Sequence, residues 1–227
     1  MVPRLNKGAL ALYLVFGPQD LRPDQSPSVL MRAAVAGGVT CLQWRDKSAL
    51  SQQSLDDRAN IVGPLVELAR SLGTPFLIND DVELAAALQA DGVHLGQDDM
   101  APCAARQILG AKAIIGWSVG IDEERARLQQ LEQAAPGTVD YIGVGPAFPT
   151  GTKSDAGNSL GAEGIRNIIR FTSLPSVAIG GISVSNCGEI ASSGVDGIAV
   201  VSAITRQKDA ERAAQALRDT WKASVTI

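Results

Sequence analysis

Short runs of apolar and β-branched residues recur along the chain, each closed by a polar or glycine-rich cluster and followed by a stretch with helical spacing. Eight of these runs read as strands: 12–16, 40–45, 75–79, 92–95, 113–118, 141–145, 176–180 and 197–202. Between them, residues 28–36, 51–71, 82–89, 122–134, 162–170, 184–192 and 209–222 suit helices, and 101–109 suits a shorter one. Strict alternation of strand and helix predicts a parallel sheet. Small-residue turns introduce several strands in the same way (AGGVTCLQ, ADGVHLGQ, GVDGIAVVS), as if one βα unit were reused. Eight such units in 227 residues predict an α/β single-domain (β/α)8 TIM barrel over residues 1–227, with an open doubly wound sheet as the alternative.

Polar residues concentrate where strands end. The strand starts are bland, but the ends carry Gln43-Trp44-Arg45-Asp46-Lys47, Asn79-Asp80-Asp81, Gln97-Asp98-Asp99, Ser118, Gly145 to Lys153, Gly180-Gly181 and Ser202. In a parallel barrel these ends form one rim, where active sites lie. Gln43, Arg45 and Lys47 are spaced two apart, so an extended strand end would present them on one side. An amide, a guanidinium and an ammonium together suit a phosphate or diphosphate; the alternative is a solvated loop.

The acids in LINDDVELA and ADGVHLGQDD have two readings. Mg²⁺ takes few carboxylates plus water and phosphate oxygens, and an acid before a helix caps it. Both hold if one acid of each pair caps and the other faces the site, and spacing does not assign them. Residues 143–161 form the longest irregular stretch, with threonines, a lysine and glycines, which suits an anion grip or lid as well as a plain surface loop. The glycines of AIGGIS and the end of AVVSAI suit phosphate binding by backbone N–H groups, or merely tight turns. His94 is the one histidine and has no serine or cysteine partner in a motif, so it reads as a core or supporting residue rather than part of a hydrolase triad. Trp44 and Trp117 either line a pocket or pack.

Bulk numbers narrow the classes. Apolar content of 45% and charged content of 19% suit a globular chain. A net charge of −4 with 4% aromatics argues against a nucleic-acid partner. Three scattered cysteines give no disulfide framework or structural zinc site and fit a reducing, cytoplasmic setting. The apolar run 10–16 after Arg4 and Lys7 is too short for a signal peptide and reads as the first strand, and no run approaches membrane-spanning length. A homo-oligomer is compatible with the sequence but not fixed by it.

The motifs GVTCLQWRDK, LINDDVELA, ADGVHLGQDD, IGWS, YIGVGPAFPTGTKSD, AIGGI and GIAVVSAI, in this order and spacing, resemble the thiamine phosphate synthase family over nearly the whole chain. The resemblance implies a Mg²⁺-assisted, dissociative joining of 4-amino-2-methyl-5-(diphosphomethyl)pyrimidine to a thiazole phosphate or its carboxylated form. The products would be thiamine phosphate and pyrophosphate. It implies that Gln43, Trp44, Arg45, Asp46, Lys47, Asn79, Ser118 and Lys153 meet the pyrimidine diphosphate, and that Thr150, Gly151, Thr152, Gly181, Val201 and Ser202 hold the thiazole phosphate. Asp80 and Asp99 would hold the metal, leaving Asp81 and Asp98 as caps. Lys153, Arg45, Lys47 and Ser118 would carry the catalytic roles. One position departs from the family's pattern: the serine is often followed two residues later by a histidine, and here that place is Gly120, which leaves the organisation of the Ser118 loop open. The related thiazole tautomerase branch uses a histidine in that region, so its absence argues against that branch. Two further possibilities compete with the resemblance: a different phosphate-binding barrel enzyme, and a silent paralogue that only binds a thiamine-related phosphate.

Overall fold

The computed structural model describes residues 7–151 and 158–225. Strands and helices alternate as β1 (Leu12–Phe16), α1 (Pro27–Ala36), β2 (Cys41–Trp44), α2 (Leu55–Ser71), β3 (Phe76–Asn79), α3 (Val82–Leu88), β4 (Gly92–Leu95), α4 (Pro102–Leu109) and β5 (Ile114–Ser118). They continue as α5 (Asp122–Ala134), β6 (Tyr141–Val144), α6 (Gly161–Ile169), β7 (Ser176–Ile179), α7 (Cys187–Ala191), β8 (Gly197–Val200), α8 (Ser202–Thr205) and α9 (Ala210–Val225). The strands close in sequence order into a parallel barrel, with β8 paired back onto β1. This is the (β/α)8 architecture that the alternation predicts.

The barrel explains why the strand runs are apolar on both faces. Alternate residues of each strand point in and out. Leu12, Leu14 and Phe16 of β1 pack outward with the helices, while Tyr13 and Val15 join Cys41, Leu77, Ile114, Tyr141, Val177 and Ala199 inside the barrel. Gly116 makes room in this interior: a Cβ there would lie 2.2 Å from the Tyr141 ring. The small residue on β5 and the large one on β6 are therefore one packing solution.

A fourfold latch closes the N-terminal rim. The residue before β2, β4, β6 or β8 accepts a hydrogen bond from the first part of the preceding strand. Thr40 Oγ1 takes Leu12 N at 3.0 Å, Asp91 takes Phe76 N at 2.8 Å, Asp140 takes Ile115 N at 2.8 Å, and Asp196 takes Ser176 N at 2.9 Å. Each of these N–H groups sits at or beside the start of its strand, where the side chain ahead of the next strand supplies the acceptor. The repeated small-residue turns of the sequence thus mark units of two strands.

Several boundaries differ from the expected ones. The second strand stops at Trp44, so Arg45 and Lys47 lie beyond it and do not share a strand face with Gln43. The helix expected from residue 51 starts at Leu55, because Ser54 caps it by accepting the Asp57 N–H; residues Ala49–Gln52 form a separate 3₁₀ turn. The short helix α8 falls where the sequence pattern marks only the end of the last strand. Asp81 caps α3 by accepting Leu84 N. Neither Asp98 nor Asp99 caps α4, whose cap position is Ala101 before Pro102.

Candidate active site

The C-terminal rim gathers the acids and one cation at the ends of β2, β3 and β4. Lys47 Nζ lies 2.8 Å from Asp80 Oδ2. Asp80 sits at φ 63, a left-handed conformation that costs energy for a side-chain-bearing residue and clusters at functional sites. Its N–H is held by the His94 carbonyl at 2.9 Å, which fixes that turn against β4. Asp99 accepts the Gly96 N–H at 2.7 Å. Burial, and then the neighbouring Asp80, push the Asp99 carboxyl above its ordinary value. Asp80 and Asp99 thus lie close together, with Lys47 paired to Asp80 and Arg58 in the lining of the cavity beside them.

This cavity has a volume of about 680 Å³ and is lined by Lys47, Asn79, Asp80 and Asp99 at its polar end and by Ile61 and Val62 of α2 among its apolar walls. Arg45 is not part of this lining. Its charge acts on Asp20, on the β1 side of the rim. Asp46 turns back into its own loop, accepting both the N–H and hydroxyl of Ser48 at 2.7 and 2.6 Å. Trp44 packs into the helix-side core, edge-on to Phe16 at 5.5 Å, and also lines the cavity. Trp117 is likewise buried in that core and donates its indole N–H to the Gly96 carbonyl at 3.3 Å.

The barrel axis carries a hydrogen-bonded chain of five side chains. Gln43 Nε2 donates to Tyr13 Oη at 2.6 Å, and Tyr13 Oη meets Tyr141 Oη at 3.0 Å. Tyr141 Oη lies 2.8 Å from His94 Nδ1, and His94 Nε2 lies 2.9 Å from Ser118 Oγ. An amide nitrogen can only donate, so Tyr13 is able to donate to Tyr141, and Tyr141 to Nδ1 of a neutral imidazole. With that tautomer Nε2–H would point at Ser118 and leave the serine proton for a partner in the site. His94 sits between Tyr141 and Ser118 and so has a serine partner that the linear sequence conceals. Tyr13 and Tyr141 escape a reading of the sequence because each sits in a run apolar on both faces, where periodicity gives no direction.

The Ser118 turn is well tied without a side chain at position 120. Gln97 Nε2 donates to the Ser118 carbonyl at 2.7 Å, Arg127 donates to Gln97 at 3.2 Å, and Glu124 accepts the Gly120 N–H at 2.5 Å. A Cβ at Gly120 would lie 2.7 Å from the Gly145 carbonyl oxygen, so this backbone leaves no place for a histidine there.

On the opposite side, the turn after β6 packs on the turn after β7, where Phe148 N donates to the Gly180 carbonyl at 3.0 Å. Gly180 and Gly181 have φ of 103 and 65, and a Cβ on Gly181 would lie 2.6 Å from the Pro149 carbonyl oxygen. These glycines therefore serve both the turn and the close approach of the segment before Thr150. Val201 precedes α8 and Ser202 opens it, exposed on the rim. Thr150 is half-buried and Gly151 is exposed. Thr152 and Lys153 lie outside the described residues.

The donor set fits Mg²⁺. Among the described residues no group of three or more His, Cys, Asp or Glu side chains could hold a metal. A lone pair of carboxylates suits the ion that keeps waters and takes its remaining ligands from substrate phosphates. Among the described residues, no helix is long and apolar enough to cross a membrane.

Fold and site together define an α/β barrel whose charged side chains gather at the C-terminal rim, beside an open cavity. The model of the family "Thiamine monophosphate synthase" matches residues 12–204. A thiamine-phosphate synthase of Azorhizobium caulinodans is 43% identical over 209 residues, covering 92% of this chain and 93% of that protein. One from Desulfitobacterium hafniense strain Y51 is 40% identical over 217 residues, covering 93% and 97%. The solved thiamine phosphate pyrophosphorylase of Pyrococcus furiosus superposes with a TM-score of 0.81 at 35% identity, covering 96% of this chain and 98% of that one. The chain belongs to the thiamine monophosphate synthase family and is an enzyme of its transferase type. A 3-hexulose-6-phosphate synthase of Salmonella typhimurium, at 18% identity and a TM-score of 0.69, shares the fold alone.

Proposed function

We propose that this enzyme joins an aminopyrimidine carrying a methylene diphosphate to a thiazole phosphate, giving thiamine phosphate and pyrophosphate. The observation that carries the reading is the contact of Lys47 with Asp80 beside Asp99, at the mouth of a cavity large enough for a diphosphate substrate. Asp80 and Asp99 would hold Mg²⁺, which when bound neutralises charge on the leaving diphosphate. Asn79 and Lys47 line the same wall and would bind its oxygens. Arg45 would approach from the β1 side, and Lys153 from the 143–161 stretch. Trp44 and Asp46 shape this end of the site, the one as packing and the other as a loop tie.

The reaction breaks the bond between the methylene carbon and the diphosphate oxygen, and the electron pair leaves with pyrophosphate. The thiazole nitrogen lone pair forms the new carbon–nitrogen bond. The pyrimidine's amino group stabilises positive charge at the methylene, so a dissociative path needs no protein nucleophile. Positive side chains favour the transition state because charge grows on the leaving oxygens. Ser118, oriented by His94, would donate its proton to a ring nitrogen, with Gln43 anchoring the far end of the chain. Thr150, Gly151, Thr152, Gly181, Val201 and Ser202 would fix the thiazole phosphate and so set the attacking nitrogen in line. The tautomerase alternative is disfavoured because that branch uses a histidine in the region where this chain has Gly120.

The test is product formation from both substrates and Mg²⁺, with an EDTA control and a Lys47→Ala control. Thiamine phosphate and pyrophosphate, abolished by EDTA and reduced in the variant, are expected. Folded protein that binds thiamine phosphate but makes none would overturn the reading.

A further inference from the structure

Gln19 stands outside every motif that points to the reaction, yet it is the strut beneath the cation loop. It lies in the 3₁₀ turn Pro18–Asp20 directly after β1. Its Nε2 donates to the Arg45 carbonyl at 2.7 Å, and its Oε1 accepts the Lys47 N–H at 3.1 Å. One side-chain amide thus spans the backbone of Asp46 from both sides, as a neighbouring strand would. The loop takes over where the sheet stops, because Arg45 N still donates to Phe16 O at 2.8 Å while the ladder goes no further.

The orientation of the amide is fixed by its surroundings. Nε2 also donates to Asp20 Oδ2 at 2.7 Å, and Asp20 is only 6% exposed. Turning the amide over would set its oxygen against two acceptors and its NH₂ against an N–H. The approach itself depends on Gly17, where a Cβ would lie 1.9 Å from the Arg45 carbonyl oxygen and 2.6 Å from Gln19 Nε2. On the far side the loop is tied by Asp46 to Ser48. Residues 45–48 are therefore gripped from two directions, and the part that faces β1 is held by Gln19.

We propose that Gln19 is a positioning residue for the pyrimidine diphosphate: it holds the Arg45–Lys47 backbone so that both cations stand ready at the rim. It touches no substrate itself. The proposal rests on the function proposed above. Its consequence is selective, because the thiazole phosphate would be held by the turns of β6 to β8, across the barrel.

The experiment compares wild type with Gln19→Met, which keeps the length and loses both hydrogen bonds, and with Gln19→Glu, which can accept from Lys47 N but not donate to Arg45 O. KM for each substrate is measured at saturation with the other, alongside hydrogen exchange of the Lys47 amide. Both variants should raise KM for the pyrimidine diphosphate about tenfold and leave KM for the thiazole phosphate within about twofold. Lys47 exchange should quicken about tenfold in Gln19→Met, since its acceptor is gone. An unchanged diphosphate KM, or an equal rise in both, overturns the proposal. If wild type makes no product, the reading of the reaction has failed instead. Calorimetry with Mg²⁺ and inorganic pyrophosphate then decides about Gln19: weaker binding by Gln19→Met supports its role, and equal binding overturns it.

Discussion

His94 Nε2 lies 2.9 Å from Ser118 Oγ, with its Nδ1 2.8 Å from Tyr141 Oη, so the chain's one histidine joins the buried tyrosine pair to the rim serine. Tyr141 is the middle link. Tyr141→Phe keeps the ring packed beside Gly116 but leaves Tyr13 and His94 each short of a partner. We expect a loss of about 1–3 kcal/mol of stability, read by urea denaturation. KM for the pyrimidine diphosphate should rise more than KM for the thiazole phosphate. Equal stability would show that the buried hydroxyl is not part of a working network.

The two rim acids should behave alike toward metal. Asp80→Asn and Asp99→Asn should each raise the Mg²⁺ concentration needed for half-maximal activity by about tenfold or more, because each removes one anionic ligand. A normal Mg²⁺ titration in either variant would remove that residue from the metal site.

Asp20 gives a pH dependence of defined sign. Burial pushes its carboxyl above 3.8, outweighing the Gln19 hydrogen bond and the Arg45 and Arg206 charges. A carboxyl whose value is raised on folding holds its proton more tightly in the native state. Stability therefore falls as pH rises from 3.8 through the raised value. Asp20→Asn, whose amide oxygen can still accept from Gln19, should lack this fall. Chemical denaturation of both proteins across the acidic range should show the wild type losing ground to the variant as pH rises. Parallel curves would contradict the raised value.

The latch at the N-terminal rim concerns stability alone. Asp196→Ala leaves Ser176 N without its acceptor and should cost about 1–3 kcal/mol in urea denaturation. Its kcat and both KM values should stay within about twofold, since the N-terminal face of a barrel carries no chemistry. A large loss of kcat with normal stability would mean that the two rims are coupled.

Much of this molecule follows from local order in the chain. The alternation of apolar runs with helical segments determined a parallel sheet covered by helices, and eight units favoured a closed barrel over an open doubly wound sheet; the pairing of β8 with β1 decided it. The clustering of Lys47, Asn79, Asp80 and Asp99 after successive strands placed them on one rim, since parallel strands all end on the same side. Local spacing said that one acid of the Asp80–Asp81 pair caps α3 but not which one; the structure makes it Asp81, which accepts Leu84 N. Three further things required the tertiary structure. The end of β2 at Trp44 depends on pairing with its neighbours, so the spacing of Gln43, Arg45 and Lys47 misled about a shared face. The chain from Gln43 through Tyr13, Tyr141 and His94 to Ser118 joins five strands, and in runs apolar on both faces no pattern says which residue points inward. The Gln19 strut pairs a turn after β1 with the backbone after β2, a contact set by the parallel pairing of those two strands and left unmarked by any spacing.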